Sequence, residues 1–267
     1  MLQAADVAFA YGRAPVLRGV SIEVPARGFV GILGPNGSGK TTLLRILAGL
    51  LRPSAGRVLL EGQALGRTPR AALARRMAVV PQETHLAFDY SVMEVVLMGR
   101  YPHLRTFEVE GPSDFAIARD ALAATGTLGL ADREFATLSG GEKQRVIIAA
   151  ALAQIAGASG DGLLLLDEPT VALDLSYQLE LGELLRDLQR RLPIAVVVST
   201  HDLNFAASVC RTLVLLREGT VLASGPTADV LTPGYIRDLY GVEAEVTQHP
   251  ATGRLVVVPL ARVGAAG

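Results

Sequence analysis

Two rhythms of apolar residues run along this chain. The first third reads as strands: Val7-Ala8-Phe9-Ala10-Tyr11, Ser21-Ile22-Glu23-Val24 and Phe29-Val30-Gly31-Ile32-Leu33, separated by Gly and Pro turns. A helix carrying Leu43, Leu44, Ile46, Leu47 and Leu50 follows and stops near Pro53 and Gly56, and Arg57 to Gly62 is a strand and turn. Ala78-Val79-Val80-Pro81-Gln82 is a short buried strand broken by proline. From about residue 88 to 157 the helical period dominates, in Val92 to Met98 and Phe115 to Ala124. This stretch returns directly to a core strand, so it reads as a helical insertion rather than an independent domain. Leu163 to Leu166 is apolar without alternation, as expected of a strand buried on both faces of a parallel sheet. Leu181, Leu184, Leu185, Leu188 and Leu192 keep helical spacing ahead of the strand Ile194 to Val198. A hairpin turned at Glu218-Gly219, a short helix over Pro233 to Tyr240 and a strand over Leu255 to Val258 close the chain. Strands alternating with helices predict an α/β fold with a largely parallel core sheet. No internal repeat is visible.

Composition narrows the picture. Of 267 residues, 50% are hydrophobic and 19% charged, which predicts a folded globular protein. A net charge of -1 argues against a general nucleic-acid binder. The basic cluster Arg67, Arg70, Arg75, Arg76 reads as a solvated helix face or a protein contact surface. The single cysteine, Cys210, excludes an internal disulfide and is expected to be a packed helix residue. No signal peptide is evident, and the apolar runs are far short of the roughly 20 residues that span a bilayer. The expectation is a soluble, cytoplasmic chain that reaches a membrane only through a partner.

The chemistry begins at Gly34-Pro35-Asn36-Gly37-Ser38-Gly39-Lys40-Thr41, which matches G-x-x-x-x-G-K-[ST] between a strand and a helix. Glycines let backbone N–H groups approach phosphates, and the helix N-terminus adds its positive end. Lys40 is expected on the β/γ-phosphates and the Thr41 hydroxyl on Mg²⁺. Asp167 ends the leucine strand as a direct or indirect Mg²⁺ partner, and Glu168 can polarise the attacking water. His201 ends the strand Ile194 to Val198 at the edge where ligands bind. Gln82 can reach both metal and water, and Tyr11 is either core or a stacking surface for adenine. His85, His103 and His249 lack metal-ligand spacing. Ser139-Gly140-Gly141 opens a further helix and forms a second anion site. A chain that already has one phosphate loop uses a second such site most economically on the γ-phosphate held by another copy.

Together these motifs resemble the ATP-binding-cassette ATPases over residues 2 to about 225. Gly34 to Thr41 looks like the Walker A motif, Leu163 to Glu168 the Walker B motif with its catalytic glutamate, and Leu138-Ser139-Gly140-Gly141-Glu142 the family signature. Gln82 fits the Q-loop, His201 the switch histidine, Asp174 in Val171-Ala172-Leu173-Asp174 the D-loop, and Tyr11 the adenine-stacking aromatic. The resemblance implies a phosphate-loop NTPase with an N-terminal antiparallel β-subdomain and a helical subdomain at about 88–157. It implies a cassette over 2–240 and a C-terminal extension over 241–267. It implies ATP contacts from Tyr11, Gly34 through Thr41, Thr42, Ser139, Gly140, Gly141 and Asp174. Catalysis would fall to Lys40, Gln82, Glu168 and His201, with Mg²⁺ at Thr41, Gln82 and Asp167. Ser91 to His103, and Leu239-Tyr240-Gly241-Val242 onward, are similar to the subgroup of importers for iron–siderophore complexes, haem and cobalamin. Partners would be a second copy, a many-helix permease on the cytoplasmic side of the membrane and, indirectly, a substrate-binding protein. Three positions depart from the pattern: Glu142 where glutamine is usual, Val171 in place of a small polar residue, and Ala150 where arginine is common.

Rival readings fare worse. A GTP switch needs Asn/Thr-Lys-x-Asp, and the only lysines, Lys40 and Lys143, do not sit in one. A soluble cassette acting on nucleic acid or ribosomes is expected to carry two cassettes or long coiled insertions, and this chain has no heptad run. A cassette of another importer or an exporter is opposed by the Gly99 to His103 segment.

Overall fold

The computed structural model describes residues 1–84, 86–171 and 174–263. His85, Ala172 and Leu173 of the motifs above, and residues 264–267 of the extension, lie outside them. In chain order the elements are β1 (Leu2–Tyr11), β2 (Ala14–Val24), β3 (Phe29–Leu33), α1 (Lys40–Leu47), β4 (Ala55–Leu60), β5 (Gln63–Ala64), α2 (Arg70–Ala74) and β6 (Met77–Val80). Then come α3 (Val92–Met98), α4 (Pro112–Ala124), α5 (Gly140–Ile155), β7 (Gly162–Asp167), α6 (Leu175–Arg191) and β8 (Ile194–Thr200). The chain ends with α7 (Leu203–Val209), β9 (Thr212–Arg217), β10 (Thr220–Pro226), α8 (Thr227–Val230), α9 (Pro233–Tyr240), β11 (Val242–Gln248) and β12 (Leu255–Arg262). Two compact units result. One joins Met1–Arg67 to the chain from Val197 onward, and the other is Thr68–Val196.

In the first unit β1 and β4 are the inner strands of an antiparallel sheet ordered β2-β1-β4-β5. β3, apolar and buried at every position, pairs parallel with β9, which pairs antiparallel with β10. Gly31 is required by packing, because a Cβ there would lie 2.7 Å from the Cys210 sulfur. Overpacking of this kind costs about 1–3 kcal/mol. Cys210 is buried, as expected, but it caps α7 from outside in an extended conformation rather than lying within the helix. Burial pushes its thiol well above the ordinary range. The strand expected near Leu255 proves to be half of a two-stranded hairpin, β11–β12. β11, with its alternating Glu243, Glu245 and Thr247, has too little apolar content to announce itself as a strand.

In the second unit β6 and β7 pair in parallel, with Val80 opposite Leu166. Every residue of β7 is buried, as the unalternating leucines predict. α3 starts in a capping box in which Ser91 Oγ accepts from Glu94 N–H and the Glu94 carboxylate accepts from Ser91 N–H. α3 runs so close to α5 that a Cβ on Gly99 would lie 2.2 Å from the Ala150 carbonyl oxygen. The basic cluster is not simply solvated. Arg75 donates to the Pro102 carbonyl (2.7 Å), and half-buried Arg76 donates to the Asp161 carbonyl (3.2 Å).

Arg100 is a buried cation. Its Nε meets Asp114 at 2.9 Å and its Nη1 donates to the Ala153 carbonyl at 2.6 Å, tying the end of α3 to α4 and α5. The hydrogen bond from Arg100, and after it the one from Gly111 N–H, hold the Asp114 carboxyl below the ordinary range. Stabilisation from this group is therefore present at neutral pH and is lost as pH falls through that lowered value. Asp114→Asn is expected to lower Tm at pH 7, and the gap from wild type should close below about pH 4. Thermal melts across that range check it; a gap independent of pH would assign the loss to something other than the ion pair.

Candidate nucleotide site

The expected site residues fall into two sets, one in each unit. In the first unit the phosphate loop leaves β3 and enters α1. Gly37 (φ 79°) and Gly39 (φ 103°) adopt left-handed backbone that side chains disfavour. A Cβ on Gly34 would lie 2.2 Å from the Leu216 carbonyl oxygen and 2.6 Å from Ser38 Oγ. The loop is anchored by Gly219 N–H donating to the Ser38 carbonyl at 3.1 Å and by Gly39 lying against Leu17. Lys40, 5% exposed, donates to the carbonyls of Gly34 (2.9 Å) and Pro35 (3.2 Å). Gly39, the N-cap of α1, provides no side-chain cap, and the first turn has no acidic residue. Ser38 Oγ is buried without a hydrogen-bond partner. A buried orphan hydroxyl, an uncapped helix start and a buried ammonium all suit an anion, so this loop fits phosphates.

His201 is exposed at the end of β8. Asp202 caps α7, accepting from Phe205 N–H at 2.9 Å. Tyr11 is half-exposed at the end of β1 with its ring edge-on to Phe9, centroids 4.9 Å apart. That leaves its outer surface open for stacking.

In the second unit the parallel register aligns the chemistry. Val80 opposes Leu166, so Gln82 and Glu168 each lie two residues past a paired position on adjacent strands. Neighbouring strands run about 4.8 Å apart. Glu168 is 8% exposed and has φ 47°, a left-handed conformation that costs a non-glycine residue about 1 kcal/mol or more. Asp167, before it, is equally buried.

Ser139 caps α5 in a capping box. Its Oγ accepts from Glu142 N–H (3.3 Å), while the Glu142 carboxylate accepts from Ser139 N–H (2.8 Å). The backbone hydrogen bond from Ser139 is the main reason the Glu142 carboxyl sits below its ordinary range. The unusual glutamate is thus a capping residue, a task glutamine performs equally well. Asp174 is likewise a cap. It accepts from Tyr177 N–H (3.1 Å) and Ser176 Oγ–H (2.9 Å). The starts of α5 and α6 are packed together, since a Cβ on Gly141 would lie 2.3 Å from the Tyr177 ring. The Arg145–Glu180 ion pair (2.8 Å) closes the same contact. Tyr177 carries no motif that marks it in the sequence. The available signal was an aromatic one turn past the Asp174 cap, on the helix that must face the glycine pair.

A phosphate loop on a strand–helix turn and a strained buried carboxylate at a parallel strand end point to a nucleotide-hydrolysing phosphate-loop protein. The chain belongs to the ABC transporter family, as one of its ATP-hydrolysing cassettes: the family model matches residues 17–171. Tyr11, Asp174 and His201 fall outside that match. The chain is 44% identical to the hemin import ATP-binding protein HmuV of Bordetella pertussis, over 96% of this chain and 98% of that one. It is also 44% identical to the cobalamin import ATP-binding protein BtuD of Halobacterium salinarum, over 86% of this chain and 56% of that one. A solved metal-chelate type ABC transporter in an inward-facing conformation superposes with a TM-score of 0.84 at 31% identity, covering 97% and 96% of the two chains.

Glu142→Gln should keep the capping box while removing a negative charge beside an anion site. ATP-dependent association of copies is expected to tighten with Tm little changed, whereas Glu142→Ala should lower Tm by removing the cap. Sedimentation with ATP and thermal melts decide it; weaker association in the glutamine variant would mean the carboxylate itself is needed.

Proposed function

We propose that this chain is the ATPase subunit of an importer for a metal chelate, working as a pair of copies that close over two ATP molecules. The observation that carries the reading is a second helix start built on glycines, Gly140-Gly141 behind the cap Ser139, in a chain that already holds a phosphate loop. Each site would use Gly34 through Thr42 of one copy and Ser139, Gly140 and Gly141 of the other, with Tyr11 against the adenine and Asp174 setting the neighbouring helix start.

Lys40 leaves the loop carbonyls for the phosphates, and Ser38 Oγ gains a partner there. Glu168 takes the proton of the attacking water. Gln82 orients that water and His201 steadies the γ-phosphate. Thr41, Gln82 and Asp167 offer hydroxyl, amide and carboxylate oxygens, a donor set that suits Mg²⁺. When bound, that ion neutralises phosphate charge. Catalysis is mostly positioning and charge stabilisation.

The metal-chelate reading is supported by relatives named for hemin and cobalamin import. Equal identity to both leaves the class of chelate, not one member of it, as the inference. Among the described residues no helix is long and apolar enough to cross a membrane. The membrane would be reached through a permease on its cytoplasmic face. The proposed docking segment follows α3, where Tyr101, Phe107 and Val109 are exposed apolar side chains. It is tied to the signature helix: His103 Nε2 lies 2.7 Å from the Gln154 carbonyl, and Gln154 Nε2 donates to the carbonyls of Ala74 and Met77 at 2.8 and 2.9 Å. Met77 opens the strand that leads to Gln82.

Glu168→Gln is expected to bind ATP, to hydrolyse it at least about 100-fold more slowly, and to accumulate as an ATP-bound dimer. Size-exclusion chromatography with saturating ATP checks this, and a monomer would count against the paired-copy reading. Tyr101→Ala and Phe107→Ala should keep nucleotide binding and Tm while reducing chelate uptake in vesicles carrying the permease. Undiminished uptake would remove this segment as the docking surface.

A further inference from the structure

We propose that α9 and the C-terminal extension after it are positioning elements for His201, α9 through Tyr240 and the extension through the bonds of its β12 to Asn204. The inference rests on the assignment of His201 to the γ-phosphate given above.

The hydrogen bonds converge on both sides of the histidine. Tyr240, the last residue of α9, donates its hydroxyl to the His201 carbonyl oxygen at 3.3 Å. Asn204, in the first turn of α7, makes a two-way bond with Val257. Its Nδ2 donates to the Val257 carbonyl at 3.1 Å, and its Oδ1 accepts from Val257 N–H at 2.8 Å. Val257 is a buried residue of β12. Between these two ties, Asp202 N–H donates to Thr200 Oγ1 at 3.0 Å. The peptide that carries the imidazole is therefore held by α9 and, three residues on, by β12.

The anchor itself is braced. Arg217 at the end of β9 donates to the Asp238 carbonyl, and Arg237 pairs with Glu243 at 2.7 Å across the turn into β11. That turn is made by Gly241 in left-handed backbone (φ 66°). Tyr240, Gly241 and Val263 also line a cleft of about 510 Å³ that reaches Pro35 of the phosphate loop. The end of α9 and the start of the extension thus share a cleft with the phosphate loop. A catalytic side chain works only when held within a few tenths of an ångström, and its backbone must be fixed for that. Here the fixing groups lie outside the part of the chain that the family model matches.

Tyr240→Phe keeps the ring and removes only the hydroxyl, while Asn204→Ala removes both bonds to β12. In single-turnover hydrolysis by the full chain, the maximal rate should fall about 3–10-fold in each, with the ATP concentration at half-maximal rate and, for Tyr240→Phe, Tm unchanged. In a His201→Ala background neither substitution should reduce the rate further, because their effect runs through that side chain. Wild-type rates in both variants, or the same loss with His201 already removed, would overturn the proposal. If Asn204→Ala does not fold, Tyr240→Phe alone decides. A wild-type rate in His201→Ala itself would overturn the assignment of His201 and the positioning role with it. A slow His201→Ala beside fast Tyr240→Phe and Asn204→Ala would overturn only the positioning role.

Discussion

The first unit depends on how closely backbone approaches backbone where the phosphate loop leaves its strand. Gly34 lies against the carbonyl oxygen of Leu216 with no room for a methyl group, and Gly219 N–H reaches back to the Ser38 carbonyl. These two approaches lock the loop to β9 and the turn after it. Once locked, the loop cannot relax to satisfy its own polar atoms. Ser38 Oγ stays orphaned, the first N–H groups of α1 have no side-chain cap, and Lys40 falls onto loop carbonyls. Buried polar groups without partners are normally costly. A phosphate at this loop would offer those groups partners, which is why the loop fits such a ligand.

The second unit turns on α5. Its first turn carries Ser139 and Gly141, and its last holds Gln154, bonded to His103 and to the backbone at Ala74 and Met77. Sixteen residues of helix span about 24 Å. The close packing of α5 on α3 at Gly99 makes the two ends parts of one stiff element. Arg100, which the sequence offered only as part of a subgroup pattern, turns out to be the buried cation that fastens α3 and α4 to this rod. Changing it would disturb packing before it disturbed docking.

Much of this was legible in the residues. The unalternating leucines of β7, the phosphate loop and the capping residues Ser91 and Ser139 each announce a local geometry that short-range chemistry enforces. Gln82 and Glu168 were each legible singly, and the parallel register sets both two residues past a paired position on adjacent strands. What could not be read was whatever depends on contact between distant segments. Gly141 has to be glycine partly because Tyr177, 36 residues later, lies on it. Asp174 and Glu142 also cap the starts of α6 and α5. The β11 strand was missed because its stability comes from β12 and α9 rather than from its own polar sequence.

The scarcity of lysine has a practical side. Of the two in the chain, Lys40 is buried against its own loop, while Lys143 is part-exposed in the first turn of α5 with its ammonium 5.9 Å from the centre of the Phe135 ring. Beyond the terminal amine, an amine-directed dye therefore has one place to go. A single fluorophore would sit beside Gly140 and Gly141, and the unaltered chain would carry its own optical reporter of whatever approaches that helix start.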